Sequence, residues 1–130
     1  AKLKNIKLEA WGDGTPLREY TYSEDMATAF LWCFENYSSS NILNVGSNEE
    51  RSIKEIVYYI ADSMNFNKEN IIFDNRKPGG ISKKSMDNSN FLKSSNYKFS
   101  SLKEGIKKTV DWYIKSYEEN GGTVRKNLKN

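Results

Sequence analysis

The chain has 130 residues, 37 % hydrophobic and 28 % charged, with a net charge of +3 from 20 basic and 17 acidic residues. That describes a folded domain or part of one, and cations spread among acids exclude the one-sided basic patch of a nucleic-acid binder. Histidine is absent and Cys33 is the single cysteine, which excludes an internal disulfide, removes the commonest acid/base group and leaves no zinc ligand set, so no metal site is expected.

The chain starts at Ala1 without Met, which reads as a cut end, and Ala1 to Lys7 carry no apolar run of the kind a secretory signal needs. No stretch approaches the roughly 18 to 20 apolar residues of a membrane span. A lone cysteine fits a reducing compartment, and the expected location is cytoplasmic. Residues Ile6 to Ala10 alternate apolar and charged and predict a short strand, followed by the turn Gly12-Asp13-Gly14-Thr15-Pro16. Ser23 is placed to cap a helix running through Tyr37, with Met26, Phe30, Phe34 and Tyr37 on one face. Cys33 falls inside that helix as buried apolar filler. Ser38 to Asn41 break it, and Ile42 to Val45 predict a short buried strand.

Ser52 and Glu55 have the spacing of a capping box, and Ile53, Ile56, Val57, Ile60, Ala61 and Met64 behind them keep the helical period. Ile71 to Phe73 predict another strand. Asp74 to Lys84 reads as a polar loop centred on Pro78-Gly79-Gly80. A second capping box, Ser101 and Glu104, opens a final helix with Leu102, Ile106, Val110, Tyr113 and Tyr117 inward, ended by Gly121-Gly122. Short strands thus alternate with three main helices: an α/β pattern with too few strands for a sheet of its own. The expected body is residues 1–122, with 123–130 as a flexible tail. Such a lobe exposes an apolar face meant for a larger partner, and dimers or swapped forms are expected of it alone.

Three stretches could carry chemistry. Trp11 to Glu19 combines an aromatic, a glycine turn that allows close backbone approach, and Arg18, whose planar fork suits phosphate. The plain alternative is a core Trp11, an ordinary turn, and Arg18 paired with Glu19 or Glu24. Lys77-Pro-Gly-Gly-Ile-Ser-Lys-Lys84 is a flexible loop ending in two cations that could close on an anion, or an exposed loop with solvated lysines. Asn44 to Glu50 is a strand end before a capped helix, at a ligand site or a plain turn.

In this order and spacing the three stretches resemble the C-terminal part of nucleotide-sugar short-chain dehydrogenases/reductases of the NAD-dependent epimerase/dehydratase family, the GDP-L-fucose synthases above all. Those read roughly WGxGxPxREFxxVDDxA, NVGxGxxxxIxELA and VFDxxKPDGxPRKxxD, then an amphipathic helix. They stand here at Trp11 to Ala27, Asn44 to Ala61, Ile72 to Asp87, and Ser101 to Trp112. The resemblance implies a small C-terminal substrate-binding lobe, with Trp11 and Arg18 on the GDP part of a GDP-sugar, Arg18 on its diphosphate, and Lys84 also facing phosphate. It implies that the whole enzyme converts GDP-4-keto-6-deoxymannose to GDP-L-fucose with NADPH. The departures are Gly79 for the family's Asp, Asn48 for a glycine, Ser82 for a proline, and Ser23-Glu24-Asp25 where the family has Val-Asp-Asp. They leave open a UDP, CDP or dTDP sugar. The family's N-terminal Rossmann domain with its NADP(H)-binding glycine loop, its Tyr-xxx-Lys pair and its Cys and His acid/base groups have no counterpart in the 130 residues. No catalytic residue or cofactor contact is therefore expected in this piece, and the Rossmann domain is its expected partner. A non-catalytic binding domain of the same fold is the third alternative.

Overall fold

The computed structural model describes residues 6–122. The expectations for the first five residues and for the tail from Thr123 lie outside the described residues. The elements in order are β1 (Leu8–Trp11), β2 (Leu17–Glu19), α1 (Ser23–Asn36), β3 (Glu50–Ser52), α2 (Ile53–Ser63), a 3-10 turn (Lys68–Asn70), β4 (Ile71–Asp74), β5 (Lys83–Lys84), α3 (Ser89–Ser95) and α4 (Leu102–Glu119). β1 pairs in parallel with β4. A second sheet has the order β3-β2-β5, with β3 antiparallel and β5 parallel to β2. The α/β class holds, and both sheets are small.

The two capping boxes form as their spacing predicts. Ser52 Oγ accepts from the Glu55 N–H at 3.2 Å and Glu55 Oε2 accepts from the Ser52 N–H at 2.9 Å; the corresponding distances for Ser101 and Glu104 are 3.3 and 3.0 Å. Each cap is worth about 1 kcal/mol. The Ser52 N–H and hydroxyl hold the Glu55 carboxyl, and the Ser101 hydroxyl and N–H the Glu104 carboxyl, below their ordinary value of 4.5. A carboxyl lowered in the folded state stabilises the fold above its ordinary value and stops doing so as pH falls through the lowered one. Thermal unfolding is therefore expected to hold steady above about pH 4.5 and to decline below it, less steeply in Glu104→Gln. An equal decline in that variant would assign the acid loss to other carboxylates.

Several expectations are corrected. Tyr22, not Ser23, is the N-cap of α1, and it makes no side-chain cap bond. The anchor there is Asp25, whose carboxylate accepts from the Ser100 N–H at 2.8 Å and from the Ser100 and Tyr97 hydroxyls, both at 3.3 Å. The inward face of the helix also differs from the expected one. Ala29 is buried and Trp32 and Cys33 are half-buried, whereas Phe30 and Phe34 are exposed, Phe34 at 89 %. Residues 42–45 form no strand, and Ile42 is 91 % exposed, because the pairing position beside β2 belongs to Glu50–Ser52. The polar loop after Phe73 has strand ends: Asp74 closes β4, and Lys83–Lys84 form β5. Tyr113 is exposed and stacks on Tyr117, with ring centroids 6.2 Å apart.

Four α-helices rather than three lie among the described residues, because α3 has too few apolar residues to show a period. Its one buried side chain, Phe91, carries an aromatic cluster. Trp32, Phe99 and Tyr97 stand 5.5, 5.9 and 6.4 Å from it, centroid to centroid. The rest of the core is Ile56 and Ala61 of α2 with Leu102 and Val110 of α4, so α2, the helix that directly follows β3, packs on α4.

Candidate functional site

The glycine turn is locked from both sides. Asp13 Oδ1 accepts from the Thr15 N–H at 2.9 Å and from its hydroxyl at 2.8 Å, and these bonds lower the Asp13 carboxyl below its usual value. The first N–H groups of α2, which have no partner within the helix, donate back to the turn: Ile53 to the Pro16 carbonyl at 3.0 Å and Lys54 to the Gly14 carbonyl at 2.9 Å. The turn therefore has a fixed position relative to α2.

The second stretch lies directly over the first. Gly12 donates its N–H to the Asp74 carbonyl at 3.0 Å, and its backbone touches that of Gly79 so closely that a Cβ on Gly12 would sit 2.7 Å from Gly79 Cα. The loop opens on a local pair that sequence reasoning missed. Asp74, 7 % exposed, holds Arg76 in a two-pronged ion pair, Nε to Oδ1 at 2.7 Å and Nη2 to Oδ2 at 3.0 Å. The Arg76 guanidinium also draws the Asp74 carboxyl below its usual value. At the loop's far end Leu17 N–H donates to the Ser82 carbonyl at 2.8 Å, which brings β5 alongside β2.

Trp11 ends β1 and is 64 % exposed, so it is not a core residue. Lys77 Nζ lies 5.6 Å from its ring centroid, within cation–π range. Arg18 is half-buried in β2. Its Nη1 donates to the Leu17 carbonyl at 2.6 Å, and its Nη2 lies under the glycine loop, 3.3 Å from where a Gly80 Cβ would be. Lys84 is Arg18's in-register neighbour on one side and Arg51 on the other. In-register residues share a sheet face, so Arg51, Arg18 and Lys84 form a row of three cations. Among the described residues neither Arg18 nor Lys84 enters an ion pair. Lys83 points to the other face and pairs with Glu50 at 2.9 Å.

The pairings of Arg18 with Glu19 or Glu24 do not form. Strand alternation sends Glu19 to the face opposite Arg18, where its Oε1 accepts from Asn88 Nδ2 at 2.9 Å and from the Asn48 N–H at 3.0 Å. The third stretch, Asn44 to Glu50, docks there: Gly46 is buried against Glu19 and Asn88, and Ser47 N–H donates to Thr21 Oγ1 at 3.2 Å. Asn48 takes φ 60°, a left-handed conformation that asparagine tolerates better than most non-glycine residues. Asn44 to Asn48 thus support β2 from behind and are not brought to the cation row. Asn88, fully buried, escaped sequence reasoning because polar residues carry no periodic signal.

Among the described residues no group of three His, Cys, Asp or Glu side chains could hold a metal ion, and no helix is long and apolar enough to cross a membrane. The cation row offers positive charge beside the Gly80 backbone, and Trp11, at the end of the other sheet, offers an exposed indole next to Lys77.

The family described as NAD dependent epimerase/dehydratase matches residues 1–46. The chain is 34 % identical over 117 residues to a putative GDP-L-fucose synthase 2 of Arabidopsis thaliana, covering 89 % of this chain and 35 % of that protein. It is 37 % identical over 122 residues to a GDP-L-fucose synthase of Dictyostelium discoideum, covering 91 % and 38 %. The crystal structure of a GDP-L-fucose synthetase from Naegleria fowleri superposes with a TM-score of 0.81 at 35 % identity, over 91 % of this chain and 35 % of that one. The chain thus spans little more than a third of the length of the curated relatives it matches. The cation row and glycine turn sit in a chain that is similar to GDP-L-fucose synthases over about nine-tenths of its length and whose residues 1–46 match the NAD dependent epimerase/dehydratase family.

Proposed function

We propose that this chain is the substrate-binding lobe of a nucleotide-sugar epimerase/reductase, and that Arg18 and Lys84 take the diphosphate of a GDP-sugar while Trp11 stacks on its flat nucleoside part. The observation that carries the proposal is Arg18 itself: half-buried, free of any ion pair among the described residues, and covered by a glycine backbone. The whole enzyme would convert GDP-4-keto-6-deoxymannose to GDP-L-fucose, epimerising C3 and C5 and reducing C4 with NADPH. This lobe would hold the nucleotide and close the site, and we assign it no catalytic residue.

NADP(H) does not fit the described residues. Dinucleotides lie at a glycine loop that opens a helix N-terminus, and the Gly12–Gly14 turn here runs into β2 instead. We therefore place the cofactor on a further, Rossmann-type domain. The exposed Phe30, Leu31, Phe34 and Ile42 supply apolar surface suited to such a neighbour.

Gly79, where the resembled pattern has an acid, favours a second reading in which the base is not guanine and the sugar is carried by UDP, CDP or dTDP. Titration with GDP and UDP, followed by tryptophan fluorescence with Trp11→Phe as control, tests both. Saturable GDP binding with a Kd at or below about 10 mM, equivalent to ~3 kcal/mol, supports the first reading if Trp11→Phe removes the signal. Tighter binding of UDP supports the second. No response to either sinks the site in this chain.

A further inference from the structure

The register of the second sheet adds a residue that neither the motif spacing nor the resemblance singles out. We infer that Arg51 is a third diphosphate-contacting residue, completing a row with Arg18 and Lys84; this inference rests on the diphosphate reading above.

Arg51 lies directly across from Arg18 on β3, and Lys84 directly across on β5. Adjacent strands are ~4.8 Å apart, so the row spans roughly 10 Å, a fit for two linked phosphates that bridge neighbouring cations. Like charges directly opposite one another destabilise a sheet. The ion pairs of the described residues set one acid against the row, Glu49, whose Oε1 lies 2.9 Å from Arg51 Nη2. Glu55 also acts on Arg51, so two carboxylates stand against the three cations, both at the Arg51 end. Arg18 and Lys84 keep excess positive charge, and a diphosphate supplies the balance.

Glu49 is also tied elsewhere. Its Oε2 accepts from the Leu102 N–H, the first of α4, at 2.7 Å. The carboxylate stays with α4, whereas Arg51, at 37 % side-chain exposure, is held besides by the Glu50 carbonyl at 2.8 Å and by the Tyr59 side chain, and exchanges only its Glu49 contact for an arriving anion. Glu49 therefore competes with the ligand for Arg51.

That competition fixes the sign of a test. With the 130-residue chain and GDP as the probe, Arg51→Ala is expected to weaken binding about five- to tenfold, the effect of losing one partly exposed charged contact. Arg51→Lys should recover part of it. Glu49→Gln keeps an acceptor for the Leu102 N–H, removes the competing charge and should tighten binding. A purely structural Arg51–Glu49 pair gives the opposite result, because Glu49→Gln and Arg51→Ala would then both weaken binding or both leave it unchanged. GDP affinity that falls in Arg18→Ala but is untouched in Arg51→Ala overturns the role of Arg51 and leaves the proposed site standing. No GDP response from the unsubstituted chain overturns both.

Discussion

Replacing Arg18 with Ala is expected to weaken GDP binding by about tenfold to hundredfold, the 1.5 to 3 kcal/mol of a charge-assisted hydrogen bond. The direction follows from what Arg18 lacks. Among the described residues its only hydrogen bond is local, to the Leu17 carbonyl, and no carboxylate neutralises it. Its removal takes little from the fold and relieves repulsion from Arg51 and Lys84, so thermal unfolding should change little or shift upward. A loss of affinity without a loss of stability marks a ligand contact. In the whole enzyme the same change should lower kcat/KM by a similar factor. An unchanged affinity for both GDP and UDP in Arg18→Ala would make Arg18 a surface residue with no part in the site.

The second large effect concerns the contact between the two glycine-bearing stretches, and it is expected to be one-sided. Gly12 has φ 79°, and a Cβ there would meet Gly79 Cα at 2.7 Å, backbone against backbone. Gly12→Ala thus combines a left-handed conformation with a contact that no side-chain rotation relieves. A cost of about 2 to 4 kcal/mol is expected from strain and displacement together. Gly79→Ala addresses the same contact from the other side, where a Cβ would have ordinary neighbours, Pro16 Cγ at 3.6 Å and Gly12 Cα at 3.9 Å. It should cost little. Denaturant unfolding of the two variants decides this: similar midpoints would show that the loop gives way freely and does not rest on the turn. Because the displaced loop also covers Arg18, Gly12→Ala should weaken GDP binding as well.

How far the sequence can be read depends on the reach of the interactions involved. The α/β alternation, both capping boxes and the strand Ile71 to Phe73 were legible because each is decided within a few neighbouring residues. Face assignments were less so. On α1 the spacing allowed more than one apolar stripe, and the tie from Asp25 to Ser100 and Tyr97, late in the chain, selected the one through Ala29 and Trp32. Helix α3 and the buried Asn88 carried no periodic signal at all.

The same division runs through the candidate site. Sequence alone determined that Trp11, Arg18 and Lys84 are of the types a nucleoside diphosphate requires, because charge, planarity and aromaticity belong to the residue wherever it sits. It also determined that a glycine turn precedes Arg18. Tertiary structure decided which of these meet. Strand register set Arg51 and Lys84 on either side of Arg18, strand alternation sent Glu19 to the opposite face, and pairing of β1 with β4 brought the Gly79-Gly80 loop over the turn. Pairing between strands far apart in the chain depends on how the intervening helices pack, and no local spacing encodes it.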